Sequence, residues 1–320
     1  MTGLLSTALL VPTRLALRLV SLCYWALVYS TAGLTAALVL TRIAWRGLRD
    51  PRGTFHWTAR RSPPACTRDP ALGEHAYLLT EGSGLRLHYV SKGDPSQPLM
   101  LFLHGFPENW FSWRYQLREF GGRWRAVALD LRGCGESAAP GRREDYALDQ
   151  LLGDIRDIIA GLEGVLRRPA RLLRCSHVFF FQIPVLPEIA LSLEDYRLVR
   201  SLLCSRRVGI RTPGRRLSGP ELEAYLFPLS QPGGLTGPLH YFRNLFSNAP
   251  PRHQDVGVSC LLIWGEADAL LGAEPAQEAG PYVCGSFAVK MIPGCSHWVQ
   301  QDQPETVNRL MWQFLEGPQT

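Results

Sequence analysis

The sequence predicts an α/β fold carrying a helical lid and an N-terminal transmembrane helix. Three observations carry that expectation. Strand-length apolar runs recur at Leu99–Leu103, Arg125–Leu131 and again from Ser259 onward, with an amphipathic helical stretch, Leu148–Leu162, among them. A block rich in Phe, Pro and Gly interrupts the alternation between Val178 and Phe246, as a lid over a pocket would. Ahead of everything lie 23 uncharged residues, Leu19–Thr41.

Taken in order, Leu19–Thr41 as a helix is about 34 Å long, enough for a hydrocarbon core of about 30 Å. A cleaved signal peptide would have a shorter apolar core ending at small residues, whereas this run ends at Thr41-Arg42-Ile43-Ala44-Trp45-Arg46. A buried soluble helix is disfavoured, since no core precedes the first strand. Residues 1–46 are therefore expected to be a single-pass membrane anchor, and 47–75, rich in Arg, Pro and Thr, a linker. The arginines on the C-terminal flank place the folded domain on the cytosolic side. Residues 1–61 hold eight arginines against Asp50, a charge of +7 out of the chain's +6, so the remainder sums to −1. On that balance no nucleic-acid partner is expected for the folded domain. The eight cysteines lack C-x-x-C spacing or histidine pairs, so no metal and no disulfide framework is expected.

Leu85–Ser91 alternates like a half-buried strand, and Leu99–Leu103 reads as a fully buried parallel strand. Residues 76–165 form the first part of the expected core, 166–255 the lid and 256–320 the second part, which ends in a helix at about Pro304–Leu315. The loop His104-Gly105-Phe106-Pro107 follows the Leu99–Leu103 strand, where backbone N–H groups can face a developing oxyanion.

The extended stretch HGFPENWFSWRYQL (His104–Leu117), with DLRGCGES (Asp130–Ser137) and SQPGGLTGPL (Ser230–Leu239), resembles the epoxide hydrolases of the α/β-hydrolase fold, in particular their membrane-anchored mammalian-type branch. The resemblance covers about residues 70–316. It implies a two-step reaction turning a lipid-like epoxide into a vicinal diol without cofactor or metal, in an endoplasmic reticulum membrane. An aspartate opens the epoxide to a covalent ester, two lid tyrosines donate to the forming alkoxide, and a histidine oriented by a second acid activates water. By match, His297 of IPGCSHW is that histidine and Asp268 of LLIWGEAD its acid.

Three positions depart from the resemblance. The His-Asp-Trp-Gly elbow that should follow the Leu148–Leu162 helix is absent. Only 14 residues, VLRRPARLLRCSHV, separate Gly164 from Phe179, whereas a strand–helix–strand unit needs about 30 or more. Gly161-Leu162-Glu163-Gly164 is a formal substitute, but it ends a helix rather than a strand. In the lid, the tyrosine expected before Arg-Asn is Phe242; Tyr241 beside it is turned by about 100° on a helix. The other lid tyrosine falls at about His177. A central strand–helix–strand unit is thus read as deleted, and the strands ending at Leu103 and Ile263 are expected to become neighbours.

The leading reading is an epoxide-hydrolase-family protein that is catalytically deficient as written. A non-catalytic membrane-anchored protein binding a lipid or a partner is the alternative, separated by stoichiometric binding without turnover. An esterase of the same fold meets the same missing nucleophile.

Overall fold

The computed structural model describes residues 2–80, 83–147, 150, 176–244, 258–277, 280, 283 and 285–317. The expected helix Leu148–Leu162, apart from Gln150, the Gly161–Gly164 substitute and the stretch from 165 to 175 lie outside them.

Helix α1 (Thr2–Arg49) is apolar and, over Arg18–Arg49, long enough to cross a membrane. One stripe of it, Trp25, Val28, Ala32, Ala36, Val39 and Ile43, is wholly or partly buried; Trp25, Val28, Ala32, Val39 and Ile43 pack on the folded body at the three- and four-residue spacing of a helix face. The segment that follows is pinned to the lid. Arg60 pairs with Asp195 at 2.8 Å and Glu223 at 2.6 Å, and the Thr58 N–H donates to Asp195 at 3.0 Å.

Among the described residues four strands form the first sheet, in the order β1 (Glu74–Leu79), β2 (Arg86–Lys92), β4 (Arg125–Leu129) and β3 (Leu99–Leu103). β3 and β4 run parallel, and the other two pairings are antiparallel. Thr80 and Leu85 close the β1–β2 hairpin. Helix α2 (Arg114–Phe120) packs Leu117 and Phe120 beneath Val90, Phe102 and Ala128. Across the sheet, His75 Nδ1 and His88 Nε2 lie 2.9 Å apart, and His88 Nδ1 reaches Asp130 at 2.7 Å.

The second sheet is the parallel pair β5 (Cys260–Gly265) and β6 (Phe287–Ile292). This corrects the expectation that β3 and β5 pair. Among the described residues β3 is an edge strand with only Phe102 buried, not the buried central strand its apolar run suggests. Side chains join the two sheets instead. The buried Gln301 donates to Glu108, beyond β3, at 2.7 Å and accepts from Arg114 of α2 at 2.7 Å. Helix α6 (Pro304–Glu316) covers both: Trp312 lies 4.8 Å from Phe120, while Val307 packs with Ile263 and Ile292.

The lid comprises helix Ser176–Phe181, α3 (Leu186–Cys204), α4 (Gly219–Leu229) and α5 (Thr236–Asn244). Ser218 and Glu221 form a capping box at the start of α4, satisfying donors on both sides of its first turn. α3 breaks at Leu193–Tyr196, where Glu194, Asp195 and Tyr196 take positive φ of 52°, 52° and 64°. Left-handed backbone costs each such residue about 1–2 kcal/mol. The carboxylate of Asp195, bound by Arg60, Arg200 and the Thr58 N–H, holds the break in place. Burial pushes that carboxyl up, but these donors outweigh it and keep it well below its usual range.

Candidate active site

Asp268 and His297 follow the carboxyl ends of β5 and β6, the edge where an open α/β sheet presents its reactive groups. His297 Nδ1 meets Asp268 Oδ2 at 2.8 Å. Asp268 Oδ1 accepts from the N–H groups of Leu270 (2.8 Å) and Leu271 (2.9 Å). With its carboxylate accepting throughout, Asp268 accepts the hydrogen bond from His297 Nδ1–H, which leaves Nε2 as the lone-pair nitrogen of the neutral ring. That is the tautomer a general base needs. The Trp298 ring stands edge-on to the His297 ring at 5.1 Å and is itself tied to the lid, its Nε1 donating to Leu202 and Val208 carbonyls.

The close approach of the two loops depends on Gly265. A Cβ there would overlap the carbonyl oxygens of Ser296 and Cys295, whose loop carries His297. Asp302 fixes the same loop, accepting from the Ser296 N–H at 2.7 Å and from the Arg211 and Thr212 N–H groups. Burial, helped by neighbouring Asp302, pushes the Cys295 thiol up to about 12, so this sulfur is an inert packing group.

Burial pushes the Asp268 carboxyl up, but its hydrogen bond to His297 and the Leu270 and Leu271 N–H groups bring it below its usual range. Asp302 behaves alike, with backbone N–H donors outweighing burial. A depressed carboxyl stabilises the fold above its unfolded-state pKa, about 3.9, and loses that contribution as pH falls toward its folded value. Urea midpoints are therefore expected to hold level from pH 7 to about 5 and fall below about 4. Asp268→Asn should be less stable at neutral pH and shallower in that acid limb.

The His104–Pro107 loop follows β3 directly. His104 has both ring nitrogens engaged: Nε2 accepts from the Leu131 N–H at 3.1 Å, which leaves Nδ1–H to donate to the Gly105 carbonyl at 2.8 Å. Both bonds stay within the loops after β3 and β4, so the ring shapes these loops. Phe106 packs edge-on to Phe181 (6.0 Å) and Phe242 (5.6 Å), so both lid side chains face the loop after β3. Tyr241 donates instead to the Arg132 carbonyl at 3.0 Å, on another side of α5. His177 falls in helix Ser176–Phe181; its side chain lies outside the described residues. A cavity of about 110 Å³ lies between the Gly133–Ala139 loop and lid residues such as Tyr225 and Leu229, and His297 is not among its lining residues.

The structure adds a group no local pattern announces. Gln301 Oε1 accepts from the Tyr225 hydroxyl at 2.7 Å, and Gln300 joins it in donating to Glu108. The lid, the segment after β3 and the segment after His297 therefore meet at one buried amide. The partners are up to 193 positions apart in sequence, beyond any motif.

The paired strands, the acid and histidine beyond their ends, and the helical lid define an α/β hydrolase; residues 98–164 match the alpha/beta hydrolase fold family. The chain is 43% identical to epoxide hydrolase 4 of Mus musculus, over 95% of this chain and 97% of that protein. It is 42% identical to epoxide hydrolase 3 of Xenopus tropicalis, over 98% of this chain and 97% of that one. A Bacillus megaterium epoxide hydrolase solved with an inhibitor superposes with a TM-score of 0.65 at 25% identity, covering 76% of this chain and all of the other. The chain belongs to the epoxide hydrolase family. The mouse alignment runs over 348 positions, yet 95% of 320 residues is about 304, so about 44 positions are filled by the relative alone.

Proposed function

We propose that this chain is a membrane-anchored epoxide-hydrolase-family protein that binds an apolar, lipid-like epoxide but is deficient in turnover, a pseudoenzyme lacking its aspartate nucleophile. The observation that carries the reading is an intact base beside a missing partner. His297 and Asp268 are hydrogen-bonded in the base tautomer, while VLRRPARLLRCSHV, where the elbow belongs, holds no carboxylate at all. The about 44 relative-only positions support a deletion of the size of one strand–helix–strand unit. Phe242, a non-donor facing the oxyanion loop, removes a proton source for the alkoxide as well.

What remains can orient one water through His297 Nε2 and present an apolar wall of Phe106, Phe181 and Phe242. The anchor is α1, with membrane contact over residues 19–41. Arg42, Arg46 and Arg49 favour a cytosolic folded domain, and the resemblance favours the endoplasmic reticulum. In bilayer-reconstituted protein, an apolar epoxide should bind saturably, one per chain, with no diol above the uncatalysed rate. Rapid diol formation would overturn the deficiency; absence of binding would overturn the ligand class.

A further inference from the structure

Between Leu19 and Thr41, α1 presents no charge on any face, and Leu22, Leu27, Leu34 and Leu38 are all exposed. A helix lying in the interface would keep a polar side, so this is a helix surrounded by lipid. Yet Val28 and Ala32 are covered by the folded body, at 2% and 1% exposure. Ala32 stands 10 residues, about 15 Å, from Arg42, the first charge past the span. Whatever covers it lies at hydrocarbon depth.

The cover is the start of the lid: Phe179 and Ile183 pack on Val28, Ala32 and Trp25. Here the chain reads VFFFQIPVLP, Val178–Pro187, ten residues without a charge. Just outward, Val185 (62%) and Ile189 (45%) are exposed. Irregular backbone survives at this depth only with its polar groups satisfied internally. Arg243 donates to the Phe181 and Ile183 carbonyls, both at 3.0 Å, and Glu188 neutralises it at 2.8 Å. The Gln182 and Ile183 N–H groups bond back to Phe179 and Phe180. Gln182 Nε2 donates to the Val178 and Phe242 carbonyls, and Pro184 and Pro187 have no N–H to satisfy.

We infer that lid residues 178–189 enter the acyl-chain region of the bilayer beside α1, so that the lid edge is a lipid-contact surface. Phe181 continues inward to Phe106 of the oxyanion loop, so this edge joins the bilayer to the candidate site by an apolar path. A ligand dissolved in the membrane would reach the site without crossing water. The inference rests on reading α1 as a span.

The test uses the full chain in phosphatidylcholine nanodiscs containing a lipid with a photoactivatable diazirine on its acyl chain, with adducts mapped by peptide mass spectrometry. Adducts are expected both within 19–41 and within 178–189. The exposed pair Val185→Glu and Ile189→Glu, free of core packing, should cut lid adducts about tenfold and leave those in α1. Adducts in α1 alone, or lid adducts indifferent to the two glutamates, would overturn the inference while leaving the span intact. Adducts in neither would overturn both.

Discussion

Inserting a strand–elbow–helix unit carrying His-Asp-Trp-Gly between Gly164 and His177 is expected to raise epoxide turnover by about a millionfold. That is the order of loss when a covalent hydrolase is deprived of its nucleophile. The gain depends on the base already being set: His297 Nε2 is the acceptor nitrogen because Nδ1–H donates to Asp268 at 2.8 Å. The same insert with the elbow aspartate changed to asparagine should stay at background. Adding Phe242→Tyr should contribute a further factor of about 100 or more, since general-acid donation is worth that much and position 242 faces the oxyanion loop. Equal rates for the aspartate and asparagine inserts would show that the missing group is not the nucleophile.

The largest stability effect is expected at Gln301. It is fully buried, accepts from Arg114 and Tyr225, and donates to Glu108. Gln301→Leu keeps the volume but strips these three groups of a partner. A buried polar group left without its bond costs about 1–3 kcal/mol, and more if charged, so the loss should be about 3 kcal/mol or larger. The urea midpoint reads it directly. A change below about 0.5 kcal/mol would mean that the two sheets are held by apolar packing of α6 alone.

Much of the fold was legible where a local pattern carries it. The apolar run Leu99–Leu103 is β3 to the residue, Arg125–Leu131 contains β4, and Pro304–Leu315 falls one residue short of α6. Asp268 and His297 were named through the family resemblance of IPGCSHW and LLIWGEAD, and the structure brings the two side chains within 2.8 Å of each other. The edge position of β3 was not legible: an apolar run does not record whether a neighbouring strand is there to bury it. The Gln301 hub was hidden for a different reason, since its partners lie in α2, α4 and the oxyanion loop and have no sequence spacing to detect. Nor does hydropathy separate the stripe Val28–Ala32, covered by Phe179, from the lipid-facing leucines of the same helix.

The most direct measurement is intact-mass spectrometry of the bilayer-reconstituted chain during a single turnover of an apolar epoxide in 18O-labelled water. Reaction through an ester would load the protein by the mass of the epoxide and pass a protein oxygen to the first diol formed. The expected result is an unmodified chain, with any background diol taking its oxygen from labelled water. A transient adduct on a carboxylate of this chain would contradict the central claim that the nucleophile is missing.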